Sequence, residues 1–382
     1  MGKRPVRPRI LMLWSAQRDP KLWGTPNTPS NMFWGGAELV ALGYEIDSIY
    51  PRAREKGVGR ILQRLLGSRV LYLLSLAEFA GRIRFGTTVL YTYVQNWALI
   101  IAILKWSGLI RTPSFLSLLG ADVDFNRLNQ DRLYFMYWKL IITQMDRVHL
   151  ISRHELQKWT SIYYEHREKF VFHPTGVDSK LYAELTANDT TANDTYEAAD
   201  FDTVAVGNDP MRDWNLAFSL PDQGVSALIL TQNSQVKSLY DAKYKDKVQS
   251  LKLLFNLTLA DSAAQMKRAP CILLATQQNE RFSGSTTVGV AACLGVPLVL
   301  DESYDLAAYG LVPGENCEHF ERGNPESAAA AIYRIVRNRD YARKLSKNIH
   351  ALADPLSMTR YGQFIEEQLL QIIGPRLGTE AL

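Results

Sequence analysis

Residues Glu280–Ser303 read ERFSGSTTVGVAACLGVPLVLDES, and three kinds of sequence follow one another in them. First comes a short polar loop, Ser283-Gly284-Ser285-Thr286-Thr287, built of small residues and hydroxyls. Thr287–Leu294 is small and apolar, as suits a helix packed tightly on a sheet, and Gly295 suits its C-cap. Val296–Leu300 has the length and β-branching of a buried strand. A loop entering a helix leaves backbone N–H groups unpaired at the positive end of the dipole, which favours an anionic group. An ordinary helix cap in any α/β protein would use the same residues, so the stretch by itself leaves the anion site open.

Outward from this stretch the same alternation recurs. Arg9–Trp14 reads as a buried strand, and Gln17–Gly36 as a long polar loop carrying Trp23, Phe33 and Trp34. Gly35-Gly36-Ala37-Glu38 opens a helix ending near Gly43, followed by a strand at Glu45–Tyr50. Strand, glycine loop, helix, strand is the pattern of a doubly wound sheet, although a tight turn would also explain two adjacent glycines. More strands are expected at Thr88–Val94, Ser114–Leu119, Arg147–Ile151 and Lys169–Phe172, with helices at Arg132–Asp146 and Glu155–Tyr164. Thr186–Asp202, TANDTTANDTYEAADFD, repeats an acidic, hydroxyl-rich unit and reads as an exposed linker or insertion. A second α/β series then runs through strands at Thr203–Val206, Ala227–Leu230, Ser250–Leu253 and Cys271–Ala275. Its helices are expected at Asp213–Leu220 and Asp261–Lys267, and Pro325–Arg337, Tyr341–Leu352 and Tyr361–Ile373 close the chain.

A chain of 382 residues, 47% apolar and 21% charged, is long enough for two domains with separate cores. Three cysteines make neither a metal spacing nor a disulfide framework, and Cys271 and Cys293 sit in apolar runs as buried, reduced thiols would. The net charge of +4 hides an asymmetry: residues 1–180 hold 25 Lys/Arg against 14 Asp/Glu, and the remainder 18 against 25. Such a basic half suits an anionic lipid surface or a phosphorylated substrate, and no nucleic-acid recognition motif accompanies it. Residues 51–84 set eight arginines and lysines around leucine clusters. That fits an interfacial amphipathic helix, or equally a core helix whose arginines stay wet. No signal peptide is expected from the short apolar run in MGKRPVRPRILMLW. No transmembrane span is expected either, because Gln95, Asn96 and Lys105 interrupt Leu90–Ile110.

The order of these elements resembles that of the nucleotide-sugar-dependent glycosyltransferases of the GT-B fold, specifically the retaining enzymes called family 4. Phe172-His173-Pro174-Thr175-Gly176-Val177-Asp178 is similar to the turn closing their first domain. Val206-Gly207-Asn208 with Arg212-Asp213-Trp214 looks like their first strand and phosphate-contacting basic residue, and Gly289–Leu300 matches their small-residue helix, glycine and strand. The resemblance implies an α/β protein of two Rossmann-like doubly wound domains facing a cleft, with a C-terminal helix able to cross back to the first domain. Residues 1–180 would form a basic acceptor-binding domain, 181–202 a linker, 203–360 the sugar-nucleotide-binding domain and 361–382 the last helix. It implies catalytic or sugar-binding roles for Glu280, Arg212 and Asp122. Donor contacts would fall to Gly207, Asn208, Ser283, Gly284, Ser285, Thr286 and Thr287, and Gly35 and Gly36 would line the acceptor side. Two positions depart from the family: Val290 stands where a second, ribose-binding glutamate is usual, and Leu119 where the first-domain histidine is usual.

The implied reaction moves a sugar from a nucleotide-diphosphate sugar to a sugar or lipid-linked acceptor, with retention and in bacterial surface polysaccharide or glycolipid synthesis. No cofactor or metal is called for beyond the donor substrate. The protein would be cytoplasmic, peripheral on the inner face of the plasma membrane through residues 51–84. A sugar-nucleotide epimerase or hydrolase of similar fold, or a non-catalytic membrane-bound partner, stands as the alternative.

Overall fold

The computed structural model describes residues 8–15, 30–50, 72, 75–84, 89–118, 123–187, 200–209, 211–277, 284–302 and 305–377. The chain forms two compact units, Met1–His173 with Tyr361–Leu382, and Pro174–Arg360.

In the first unit, strands β1 (Arg9–Leu13), β2 (Glu45–Ile49), β3 (Val89–Thr92), β4 (Ser114–Leu118), β5 (Arg147–Leu150) and β6 (Phe170–Phe172) form one sheet. Their order is β2-β1-β3-β4-β5-β6, with every pair parallel. Parallel neighbours need crossovers, and helices supply them, which explains why β1, β3 and β4 are buried on both faces. The Gln95–Trp106 helix turns Trp97, Ala98 and Ile101 inward, and the Arg132–Gln144 helix beside it buries Trp138, Ile141 and Ile142. Residues 90–110 are therefore a strand and a buried helix. Among the described residues no helix is long and apolar enough to cross a membrane. Residues 51–71 of the basic stretch lie outside the described residues. Its end is a helix, Leu76–Arg84, with Phe79 in the core and Arg82 paired to Asp47 at 2.9 Å.

The last helix, Met358–Leu377, begins in the second unit and belongs to the first from Tyr361 onward. It docks by close approach: a Cβ on Gly362 would lie 2.3 Å from Glu38 Cβ, and one on Gly35 would touch Tyr361 and Ile365 at 3.4 Å. The Tyr361 and Phe364 rings cover His149, with centroids 5.6 and 5.1 Å away. His149 is wholly buried; its Nδ1 lies 2.6 Å from Ser117 Oγ and its Nε2 2.8 Å from the His173 carbonyl. A carbonyl only accepts, so Nε2 carries the proton and Nδ1 accepts from Ser117.

The second unit repeats the plan with β7 (Thr203–Val206), β8 (Ala227–Thr231), β9 (Leu251–Phe255), β10 (Ile272–Leu274), β11 (Leu298–Asp301) and β12 (Cys317–Phe320). Its parallel order is β12-β11-β10-β7-β8-β9, so the winding reverses between β7 and β10. The Ser285–Leu294 helix packs so tightly that a Cβ on Gly289 would lie 2.3 Å from Val177 Cγ2. Small side chains permit that approach.

Several expectations shift. The helix starts at Ser285, not Thr287, because Gly284 takes a left-handed N-cap conformation at φ +98°. The following strand starts at Leu298, since Pro297 has no N–H for the ladder. Part of the stretch read as turn and linker is a helix, Ser179–Thr186, capped by Asp178 and anchored through buried Tyr182; residues 188–199 lie outside the described ones. The Ser234–Lys243 helix was not expected, its polar sequence showing little apolar periodicity. Cys271 is fully buried as expected but Cys293 only partly.

Burial lowers the His149 pKa from its usual 6.5 to about 3. The folded state therefore keeps His149 neutral while the unfolded chain protonates it below 6.5. Its contribution is fully present above pH 6.5 and is lost as the pH falls toward 3, at about 1.4 kcal/mol per pH unit. Glu155, raised to about 8 by its own burial, slopes the opposite way, so the wild-type curve alone mixes the two. Denaturant titrations between pH 7 and 4.5 should show a smaller acid loss in His149→Gln than in the wild type. Equal slopes would remove His149 as the cause.

Candidate functional site

Loops leaving the carboxyl ends of β7, β10 and β11 meet where the second sheet reverses its winding, the place at which open α/β sheets bind ligands. Arg212 follows β7. Its backbone pairs with Thr276 as an antiparallel bridge, while Asp213 N donates to Ala275 O at 3.0 Å and Gln277 N to Met211 O at 2.9 Å. Thr276 is pinned in turn, its N and Oγ1 donating to Asp301 Oδ2 at 2.8 and 2.7 Å. Asp301 ends β11, fully buried, with Arg322 at 3.5 Å on its other oxygen. A buried carboxylate thus fixes the segment that fixes Arg212.

The Arg212 side chain is only 5% exposed, so it is no surface group in an ion pair with Asp213. Asp213 instead caps the Trp214–Ser219 helix, accepting from Leu216 N at 3.1 Å. Arg212 Nη2 donates to Thr287 Oγ1 at 2.8 Å, which brings the guanidinium to the first turn of the Ser285–Leu294 helix. No side chain caps that helix among the described residues, and the N–H groups of its first turn have no partner within the helix. Gly207 makes the approach feasible: at φ +148° it carries no Cβ, and one built there would lie 2.8 Å from Arg212 Nε. Both the arginine and the helix end present positive charge. A cation is normally disfavoured at a helix N-terminus, so the pair together make a strong anion site.

Beside it, a cavity of about 200 Å³ opens at the ends of β7, β8 and β9. Gly207, Asn208, Thr231, Gln232, Thr258 and Ser262 supply its polar wall. Asn208 Oδ1 accepts from Gln232 N at 2.6 Å, and Thr231 Oγ1 donates to the Gly207 carbonyl at 2.7 Å, tying two loops into one rim. Reading the sequence alone missed Thr231, Gln232, Thr258 and Ser262. The one available signal was their position just past strand ends, shared by many hydroxyl and amide residues of no function.

No protein-family model matches the chain, and no curated protein matches it in sequence. Solved structures do match its shape. An Anabaena HepE structure in complex with UDP and glucose aligns with a TM-score of 0.66 at 14% identity, over 96% of this chain and 100% of that one. Sucrose-phosphate synthase from Thermosynechococcus elongatus reaches 0.71 at 14% identity, over 97% and 100%. The apo form of the lipopolysaccharide outer core galactosyltransferase WaaB gives 0.66 at 11%, over 95% and 99%. The chain has the GT-B fold.

Within this GT-B fold the expected residues divide. Gly207, Arg212, Gly284, Ser285, Thr286 and Thr287 gather at one strand-end site, with Asn208 on its rim. Glu280, Ser283, Asp122 and Leu119 lie outside the described residues. Gly35 and Gly36, in the first unit, sit at the start of the Gly36–Ala41 helix, where Gly35 adopts φ +85° against Tyr361, a packing reason for glycine. Val290 is buried in the apolar core with Val288 and Ala291, so it offers no hydrogen bond to a ligand.

Gly207→Ala should both strain the backbone and displace Arg212, costing about 1–3 kcal/mol in the unfolding free energy of this unit. Thr287→Val, which deletes one hydrogen bond, should cost about 1 kcal/mol. Urea titration measures both; a neutral Gly207→Ala would refute the close contact.

Proposed function

We propose that this chain is a glycosyltransferase, moving a sugar from a nucleotide-diphosphate sugar to an acceptor hydroxyl. The observation that carries this reading is Arg212, buried and hydrogen-bonded to Thr287 in the first turn of the Ser285–Leu294 helix. When a sugar leaves its nucleoside diphosphate, negative charge builds on the departing β-phosphate. Donors aimed at that charge, already oriented and partly shielded from water, stabilise the transition state more than the ground state. Arg212 supplies full charge and a planar fork; the helix end supplies amides and a dipole. The adjoining polar cavity is the natural place for the nucleoside, with Gly207, Asn208 and Gln232 on its wall. A neighbour of the same fold that was captured with UDP and glucose supports a uridine nucleotide as the first donor to try.

Glu280 would hold hydroxyls of the donor sugar, and Ser283 would extend the phosphate cradle. Asp122, with Gly35 and Gly36, would belong to the acceptor side in the first unit. The resemblance to family 4 suggests retention at the anomeric carbon. The basic first half suggests a sugar or lipid-linked sugar acceptor in surface polysaccharide or glycolipid synthesis, at the cytoplasmic face of a membrane. With Val290 in the core, ribose recognition must come from elsewhere, and the hydroxyl-lined cavity is the candidate.

Thermal-shift measurement against a panel of sugar nucleotides should find a donor that raises the unfolding temperature, followed by a transfer assay with candidate acceptors. Arg212→Ala should then lower transfer about 10²–10³-fold, the usual cost of removing one transition-state donor, with the circular dichroism spectrum unchanged. Near wild-type transfer by that variant would sink the assignment. Donor loss without transfer to any acceptor would point to a hydrolase.

A further inference from the structure

The loop entering the first helix of the first unit ends in two large rings, and the fold uses them differently. Phe33 is in the core at 1% exposure, while Trp34 is only partly buried. Trp34 also takes the left-handed backbone conformation, at φ +49°. Among the described residues only Asp246 and Asn256 share a positive φ without being glycine, and short polar side chains tolerate it where a bulky ring does not. The conformation is imposed from two sides. The hydroxyl of buried Tyr91 donates to the Trp34 carbonyl at 2.9 Å, and Gly35, next in the chain, packs against Tyr361. A strained residue whose ring does not fill the core points to a use at the surface.

The Trp34 ring meets Tyr93, the residue after β3, with centroids 5.8 Å apart and planes tilted by 45°. Tyr93 is backed in turn by Trp14, the residue after β1, edge-on at 5.4 Å. Trp14 is fully buried and donates through Nε1 to Ser48 Oγ at 3.2 Å, so the support is rigid. Ser15 Oγ lies 3.1 Å from the Tyr93 hydroxyl. One of these hydroxyls donates to the other, which leaves one O–H of the pair for a further acceptor. β1 and β3 are adjacent, and the first sheet reverses its winding between them, the place at which such sheets bind ligands.

Aromatic rings beside paired hydroxyls suit a molecule with a C–H face and a hydroxyl edge, which describes a pyranose ring. A flat aromatic ligand fits less well, since Trp34 and Tyr93 already touch and leave no slot between them. We propose that Trp34 stacks on a sugar ring of the acceptor, with Tyr93 and Ser15 binding its hydroxyls. The proposal rests on the glycosyltransferase reading for the need of an acceptor, and it names the group recognised and the residues that recognise it.

The test is saturation-transfer NMR on the full chain without donor, with methyl pyranosides of glucose, galactose, mannose and N-acetylglucosamine as probes. At least one should bind and receive saturation mainly through the ring C–H protons of one face. Trp34→Asn should weaken that binding about tenfold or more, and Trp34→Phe, which keeps a ring, about threefold. Tyr93→Phe with Ser15→Ala should weaken it about fivefold while leaving the unfolding midpoint in place, since only two part-exposed hydroxyls are lost. Binding that survives both Trp34→Asn and the hydroxyl pair overturns the proposal, as does a wild type that binds none of the probes. Sugar-nucleotide binding, read separately by thermal shift, should be the same in all variants. A donor that binds where no pyranoside does overturns this proposal alone. Pyranosides bound through Trp34 where no donor binds support the sugar platform and overturn the reading of the donor site.

Discussion

A guanidinium held against the first turn of a helix sets positive charge beside the positive end of a dipole, an arrangement with an electrostatic cost. The second unit builds much of its strand-end architecture around bearing that cost at Arg212. Gly207 gives up its Cβ so that the side chain can lie flat, Thr287 accepts its hydrogen bond, and Thr276 holds its backbone in register. Asp301, buried at the end of the neighbouring strand, holds Thr276. Three strand ends and a helix are thereby organised around one cation. An anion bound there would meet both the guanidinium and the helix end.

The two units solve the same packing problem with the same means. A parallel sheet buried on both faces is covered by helices, and those helices pack against their own neighbours most closely where a side chain is missing. In the second unit that is Gly289 against Val177; in the first it is Gly362 against Glu38 and Gly35 against Tyr361. The returning helix also seals His149 beneath Tyr361 and Phe364, and the neutral imidazole satisfies a serine hydroxyl and a carbonyl that would otherwise be buried without partners. Acid sensitivity follows from that burial. Polarity in this core is a structural matter, separate from the chemistry at the strand ends of the second unit.

Much of the fold was legible because its signals are local. Apolar runs of strand length, glycines at helix ends and hydroxyls at helix starts each act over a few residues, and β1, β4, β7 and the Ser285–Leu294 helix all sit within two residues of where the sequence puts them. The Ser234–Lys243 helix was illegible, since its capping Asn233 is informative only once a helix is suspected. The Ser179–Thr186 helix was hidden by the acidic repeat that follows it, although Tyr182 anchors it in the core. At the site, Arg212 could be singled out only by resemblance. Nothing in Arg212-Asp213 distinguishes a phosphate ligand from a surface pair until burial and the Thr287 contact are known.

The sequence by itself determined two α/β series, the turn chemistry at their glycines, and a small-residue helix entered through hydroxyls, because propensity and periodicity are properties of neighbouring residues. Only the tertiary structure decided that Arg212 is buried at that helix, that Val290 points into the core, and that Asp301 supports the whole arrangement from 25 residues beyond Thr276. Such facts depend on which strand ends lie side by side. That is set by sheet order, and the crossover between β7 and β10 brings together residues that no local pattern connects. The Ser283–Thr287 stretch thus began as a helix start like many others, and its place at the reversal of the sheet is what makes its described residues a site.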